Sequence, residues 1–159
     1  MNQLVEIYTD GSSRGNPGPG GLGVVLRANG KEKRLSKGFK KTTNNRMELL
    51  AVIIGLSALK KEGIDVIIYS DSKYVVDSVT KGWVFNWSKK ADFGGKKNPD
   101  LWKKFLQLYP KFNIRFVWIK GHADNYFNNI CDQLATVAAD HGPHHEDEGF
   151  IDKSIQKNP

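Results

Sequence analysis

Apolar and polar side chains alternate along "LVEIYTD", residues 4–10, which predicts a strand with one buried face. The alternation stops at Asp10. The next eleven residues, "GSSRGNPGPGG", hold no large apolar side chain and predict a loop. "GLGVVLRANG" and "KEKRLSKGFK" predict two strands joined by a tight turn at Asn29-Gly30. "TTNNRMELLAVIIGLSALKKEG", residues 42–63, predicts a helix capped by Thr or Asn, with Lys60 and Lys61 at its C-terminal dipole and Gly63 as its end. "IDVIIYS" is apolar and β-branched, a buried strand, and "DSKYVVDSVTKG" a short helix after it. Residues 82–99 form a helical and loop insertion. "PDLWKKFLQLY" then predicts a helix opened by Pro99, "FNIRFVWIKG" a last strand and "FNNICDQLATVAAD" a last helix. From residue 141 the chain is polar and predicted to be loosely ordered. Three strands in a row followed by strand-helix units imply an α/β fold. The expected form is a five-stranded mixed sheet, an antiparallel meander plus strand-helix-strand units, with helices on both faces.

Composition narrows the setting. A chain of 159 residues, 39% hydrophobic and 26% charged, fits one globular domain. Its longest apolar run, "LLAVIIGLSAL", is too short to span a bilayer, and no secretory signal opens it, so no membrane partner is expected. The single cysteine, Cys131, excludes an internal disulfide and points to a reducing cytoplasm, where the sequon at 86–88 is incidental. The net charge of +7 favours a polyanionic partner. That charge is uneven. Residues 81–104 carry seven lysines against Asp92 and Asp100, interleaved with Trp83, Phe85, Trp87, Phe93 and Trp102. Lysines for phosphates and aromatics for sugars or bases are the mixture of nucleic-acid surfaces, although a Lys-rich stretch is also what an ordinary solvated face looks like.

Few side chains stand out chemically. "GPGGLG" matches G-x-G-x-x-G but leads into a strand, so it is no dinucleotide fingerprint, and no Walker loop is present. Asp10 reads either as a turn residue or as a metal or substrate ligand beside a backbone that must come close. Glu48 has Ala51, Val52, Gly55 and Leu59 on its side of a helix that is apolar almost all round. A carboxylate there is costly unless it is metal-bound or paired, the adjacent Arg46 being the alternative partner. Asp71 ends a buried strand, a place where α/β sheets gather ligands and also where a helix N-cap belongs. Asp132 lies nearly opposite the apolar arc of Phe127, Ile130, Leu134, Val137 and Ala138, and periodicity alone makes it a solvent-facing acid. His122 reads equally as a loop residue, Cys131 as an inert core thiol, and His141, His144 and His145 as a solvated tail.

"YTDGSSRGNPGPGG", "TTNNRMELLA", "YSDSKYV", "KNPDLW", "KGHADNYFNNICDQLA" and "EDEGF", in that order from residue 4 to about 150, together resemble type 1 bacterial ribonuclease H. The resemblance implies the ribonuclease H-like fold, with a catalytic domain over 1–141, a basic handle inserted at about 82–99 and a polar, partly ordered tail at 142–159. It implies a monomeric endonuclease that hydrolyses the RNA strand of RNA/DNA hybrids by two-metal catalysis, leaving 5′-phosphate and 3′-hydroxyl ends. Two Mg²⁺ ions, with Mn²⁺ as a substitute, would be held by Asp10, Glu48, Asp71 and Asp132, Asp10 bridging both, and His122 would move a proton or aid product release. Gly11, Asn16, Asn44, Asn45 and Glu48 match hybrid-contacting positions, including those at the RNA 2′-hydroxyl. Thr43, Asn44 and Arg46 match a pocket for a DNA-strand phosphate. Trp83, Trp87, Lys89, Lys90, Lys96 and Lys97 belong to the handle, which is shorter than in the best-known members and lacks one aromatic. Lys73 stands where many members have Gln, and Asn125 and Asn129 where they often have His and Glu. Other classes with this architecture are a junction resolvase, an integrase-like transferase and a catalytically dead hybrid-binding module. The first two are not expected to combine "TTNNRMEL" with a Lys-rich handle, and the four carboxylates argue against the third.

Overall fold

The computed structural model describes residues 3–120 and 125–150. β1 (Leu4–Ser13), β2 (Gly18–Ala28) and β3 (Lys31–Thr42) form the antiparallel meander. Asn29 and Gly30 both have positive φ, 52° and 74°, as a tight hairpin turn requires. β4 (Asp65–Ser70) runs parallel to β1, and β5 (Asn113–Trp118) parallel to β4. A sixth strand, β6 (His144–His145), pairs with Gly38 and Phe39 of β3, giving the order β5-β4-β1-β2-β3-β6. The expected count of five is therefore corrected to six. Two histidines in a polar segment pair through their backbone alone and leave no alternation to read.

The helices are α1 (Asn44–Ser57), α2 (Lys73–Thr80), α3 (Trp83–Trp87), α4 (Pro99–Leu108) and α5 (Tyr126–His141). They cover both faces of the sheet. On one face Ile7, Leu22, Val24 and Ile68 pack with Met47 and Leu56 of α1, Val75 of α2, Val84 of α3 and Phe105 of α4. On the other, Tyr8, Val25 and Tyr69 meet Phe127, Ile130, Cys131 and Leu134 of α5. Among the described residues no helix is long and apolar enough to cross a membrane.

Two boundaries differ from the sequence reading. α1 stops at Ser57, and Ala58 closes it by donating to both Ile54 O and Gly55 O (3.1 and 3.3 Å). Lys60 and Lys61 thus lie beyond the helix dipole. Gly63, with φ 78°, serves instead to turn the chain into β4. β1 likewise does not end at Asp10: its pairing continues from Asp10↔Gly23 to Ser13↔Gly20. A glycine-rich strand pairs as well as any other, since the ladder uses only backbone groups, but it has no side-chain pattern to announce it. The missing side chains serve packing. A Cβ on Gly11 would collide with the backbone of Met47 and Glu48, and one on Gly23 with the carbonyl of Cys131, so bare backbone lets α1 and α5 seat directly on the sheet.

Candidate active site

The β1–β4 register brings the first two carboxylates together. Tyr8 lies opposite Tyr69, their rings stacked at 4.4 Å, so two residues further on Asp10 comes level with Asp71. Glu48 arrives from the first turns of α1, which Gly11 admits against β1. The cap of that helix is Thr43, whose Oγ1 accepts from the Arg46 amide at 3.3 Å. Asp10, Glu48 and Asp71 can each offer an oxygen such that all three lie within 4.8 Å of one another.

Both Asp10 and Glu48 are only 6% exposed. Burial, then the charge of Asp71, then that of Asp132, push the Asp10 carboxyl up to about 8, against the hydrogen bond it accepts from the Gly11 amide at 2.9 Å. Burial and the neighbouring Asp10 and Asp71 drive Glu48 well above the usual carboxylate range. Glu48 Oε1 and Asp71 Oδ1 are buried without a hydrogen-bond partner among the described residues. Buried carboxylate oxygens, crowded and unsatisfied, are what a hard divalent cation neutralises and an apolar core does not. The donor set fits such an ion. Asp132 sits on the exposed surface of α5, as its periodicity predicts, and its charge reaches Asp10.

The competing explanations for these acids fall away. Ser72, not Asp71, caps α2, its Oγ accepting from the Val75 amide at 3.2 Å. Nor does Arg46 pair with Glu48. Arg46 is 3% exposed and directs all five of its N–H donors elsewhere. Nε and Nη2 donate to Asp147 (2.7 and 3.0 Å), Nη1 and Nη2 to Asp100 (2.9 and 2.7 Å), and Nη1 also to Asn98 Oδ1 (3.2 Å). Burial alone would lower the guanidinium pKa, but these two carboxylates raise it, and Arg46 in turn holds Asp100 below the usual carboxylate range. Arg46, expected to grip a phosphate, has every donor engaged by these partners here. It is a knot that ties α1 to the start of α4 and to the segment after α5. Asn98, Asp100 and Asp147, the other members of that knot, have no periodicity to announce them.

Of the remaining candidates, Asn16 Oδ1 accepts from the Asn44 amide at 3.1 Å, which joins the β1–β2 turn to the exposed Asn44–Asn45 end of α1. Trp83, Trp87, Lys96 and Lys97 line one groove of about 510 Å³ with Tyr74 and Ser78. Lys89 and Lys90 are exposed but lie outside that lining. Trp87 meets the fully buried Trp102 edge-on at 6.4 Å and so fastens the handle to the core, whereas Trp83 is 43% exposed. Cys131 is fully buried, and its thiol is pushed up by that burial, the state of an inert core residue. Asn125 caps α5 by accepting from the Asn128 amide at 2.9 Å. His122 lies outside the described residues.

The ribonuclease H family profile matches residues 2–140. A ribonuclease H of Desulforamulus reducens is 51% identical over 139 residues, covering 85% of this chain and 87% of its own. A ribonuclease HI of Haemophilus ducreyi is 50% identical over 153 residues, covering 92% and 96%. Among solved structures, LC9-RNase H1, a type 1 ribonuclease H, superposes with a TM-score of 0.78 at 30% identity, covering 99% of this chain and 82% of that one. LC11-RNase H1 in complex with an RNA/DNA hybrid superposes at 0.57 with 26% identity, covering 86% and 96%.

Proposed function

This chain belongs to the type 1 ribonuclease H family and is a ribonuclease H enzyme, and from that premise we propose that it hydrolyses the RNA strand of RNA/DNA hybrids endonucleolytically, leaving 5′-phosphate and 3′-hydroxyl ends. The observation that carries this reading is the convergence of Asp10, Glu48 and Asp71 with orphaned, buried oxygens at one end of the sheet. Asp10, Glu48, Asp71 and Asp132 would hold two Mg²⁺ ions, or Mn²⁺ in their place. When bound, such ions supply activation of water and neutralisation of the phosphate and of the leaving oxygen.

The chain's own groups do the rest. The Gly11 amide fixes one Asp10 oxygen, and the Arg46 knot fixes the helix that presents Glu48. Asn16 and Asn44, joined by their hydrogen bond, and the neighbouring Asn45 would read the 2′-hydroxyls that separate RNA from DNA. Thr43 and Asn44 remain for a DNA-strand phosphate. Lys73, the handle lysines and Trp83 supply charge and a ring for the duplex, and His122 a proton carrier. That a relative of this fold was solved holding an RNA/DNA hybrid supports the substrate.

Labelled RNA/DNA, RNA/RNA and DNA/DNA duplexes incubated with Mg²⁺ or with chelator test the proposal. Cleavage confined to the RNA strand of the hybrid, and abolished by chelator, is the expected result. Cleavage of DNA/DNA would indicate a related-fold nuclease, and hybrid binding without cleavage an inactive binding module.

A further inference from the structure

Lys73 and Trp118 form a pair beside the acidic cluster. Lys73 opens α2, two residues after Asp71. Trp118 closes β5, level with Ser70 in the β4–β5 register, and the Ile119 amide donates to Ser70 O at 2.8 Å at the same point. Ile114 and Phe116, on the same side of β5, pack against the core. Trp118 instead emerges at the end of an edge strand, 40% exposed. The Lys73 ammonium rests 4.1 Å from the centre of its ring. Among the described residues Lys73 has no carboxylate partner, and its side chain is exposed.

A free lysine on a helix surface samples many rotamers, and ordering it costs a bound ligand part of its affinity. Here the indole face attracts the ammonium and restricts where it sits. An ammonium over a ring still directs hydrogens outward, to an acceptor in solvent or on a ligand. The pair therefore displays a localised positive charge and an exposed aromatic face one step from Asp71. A phosphodiester strand crossing the carboxylates has another phosphate next to the reacting one. A sugar beside that phosphate would meet the indole.

We propose that Lys73 and Trp118 act as one positioning unit, the ring holding the ammonium and the ammonium binding a backbone phosphate next to the scissile one. This rests on the reading of the site as a nucleic-acid hydrolase. The contact is sequence-independent, since every phosphate offers the same oxygens.

The test is hybrid binding by fluorescence anisotropy in chelator, across a salt series, with cleavage of the same hybrid by the wild type in Mg²⁺ measured in parallel. Lys73→Ala should lower the slope of log K against log salt by roughly one unit. Trp118→Leu, which keeps apolar bulk and every charge, should reproduce most of that loss. The double variant should be no worse than Lys73→Ala alone, and Lys73→Arg and Trp118→Phe should stay near wild type. Melting curves establish that each variant is folded. Lys73→Ala parallel to wild type would overturn the phosphate contact, and Trp118→Leu parallel to wild type would overturn the unit, while wild-type cleavage of the hybrid would leave the broader reading standing. A wild type that neither binds nor cleaves the hybrid overturns both.

Discussion

Asp71 shows how one side chain separates chemistry from architecture. Because Ser72 supplies the cap of α2, the two roles that a sequence leaves tangled at this corner fall on adjacent residues. Ser72→Ala should cost about 0.5–2 kcal/mol of stability and leave turnover nearly unchanged. Asp71→Asn should melt near the wild-type temperature and yet lose cleavage. Paired melts and activity assays check both, and an active Asp71→Asn would remove it from the metal site. Asp10→Asn should also lose cleavage but gain stability in chelator at pH 8, by about 1–3 kcal/mol, because it deletes one charge from a buried crowd of carboxylates. Denaturant titrations of the metal-free proteins measure it. Glu48 is legible from the helical wheel because a lone acid on an apolar helix is anomalous at the level of single residues. Asp132 is not, since its exposed place on α5 is where any acid would go, and only family resemblance singles it out. The role of Arg46 is hidden from sequence because its partners, Asp100 and Asp147, are 54 and 101 residues away and no local pattern encodes them.

The elements bear on how the site keeps its shape. α1 carries Glu48 two residues after Arg46, so the knot at Arg46 governs where that carboxylate stands. Arg46→Ala leaves Asp147 buried without its cation and should destabilise the protein by about 3–5 kcal/mol. Asp100→Ala should cost distinctly less, since that side chain is 36% exposed and water can take over part of its role. Urea unfolding of the two variants gives the comparison, and equal losses would mean that Asp147 does not depend on Arg46. The handle makes a different kind of claim. Replacing Lys89, Lys90, Lys96 and Lys97 with Ala should raise KM for the hybrid with kcat little changed, and flatten the salt dependence by roughly one unit for each phosphate that the handle no longer grips. Parallel salt slopes would make those lysines a solvated face. The sequence predicts every helix here, since apolar spacing and caps are local. It misplaces the end of α1, where tightening at Ala58 rather than a glycine stops the helix, and it misses the continuation of β1 through residues whose side chains are too small to alternate.

At the scale of the whole molecule the acidic cluster acts as a pH-dependent burden. Burial and mutual repulsion raise Asp10 to about 8 and Glu48 in the same direction, so the native state binds protons that the unfolded chain has released. That contribution to stability is fully present below the ordinary carboxylate range and is lost as pH rises through about 8. Asp100, held low by Arg46 against the effect of its own burial, works the opposite way and matters only in acid below that window. The metal-free protein should therefore lose stability between roughly pH 4 and 8, and Mg²⁺ should raise its melting temperature more at pH 8 than at pH 5.5. Melts with and without chelator at the two pH values check this, and an equal shift at both would dissociate the cluster from the ion. The sheet that carries the cluster has a further property. β3 is partnered on its outer side at only Gly38 and Phe39 among the described residues, and along the stretch before them stand Lys31, Lys33 and Lys37, while Arg34 pairs with Glu32. Two copies laid edge to edge would bring like charges face to face, the usual protection of an open strand against self-association. Ionic screening thus acts on this molecule twice: the salt that loosens its proposed hold on a polyanion also lowers the barrier between one open edge and the next.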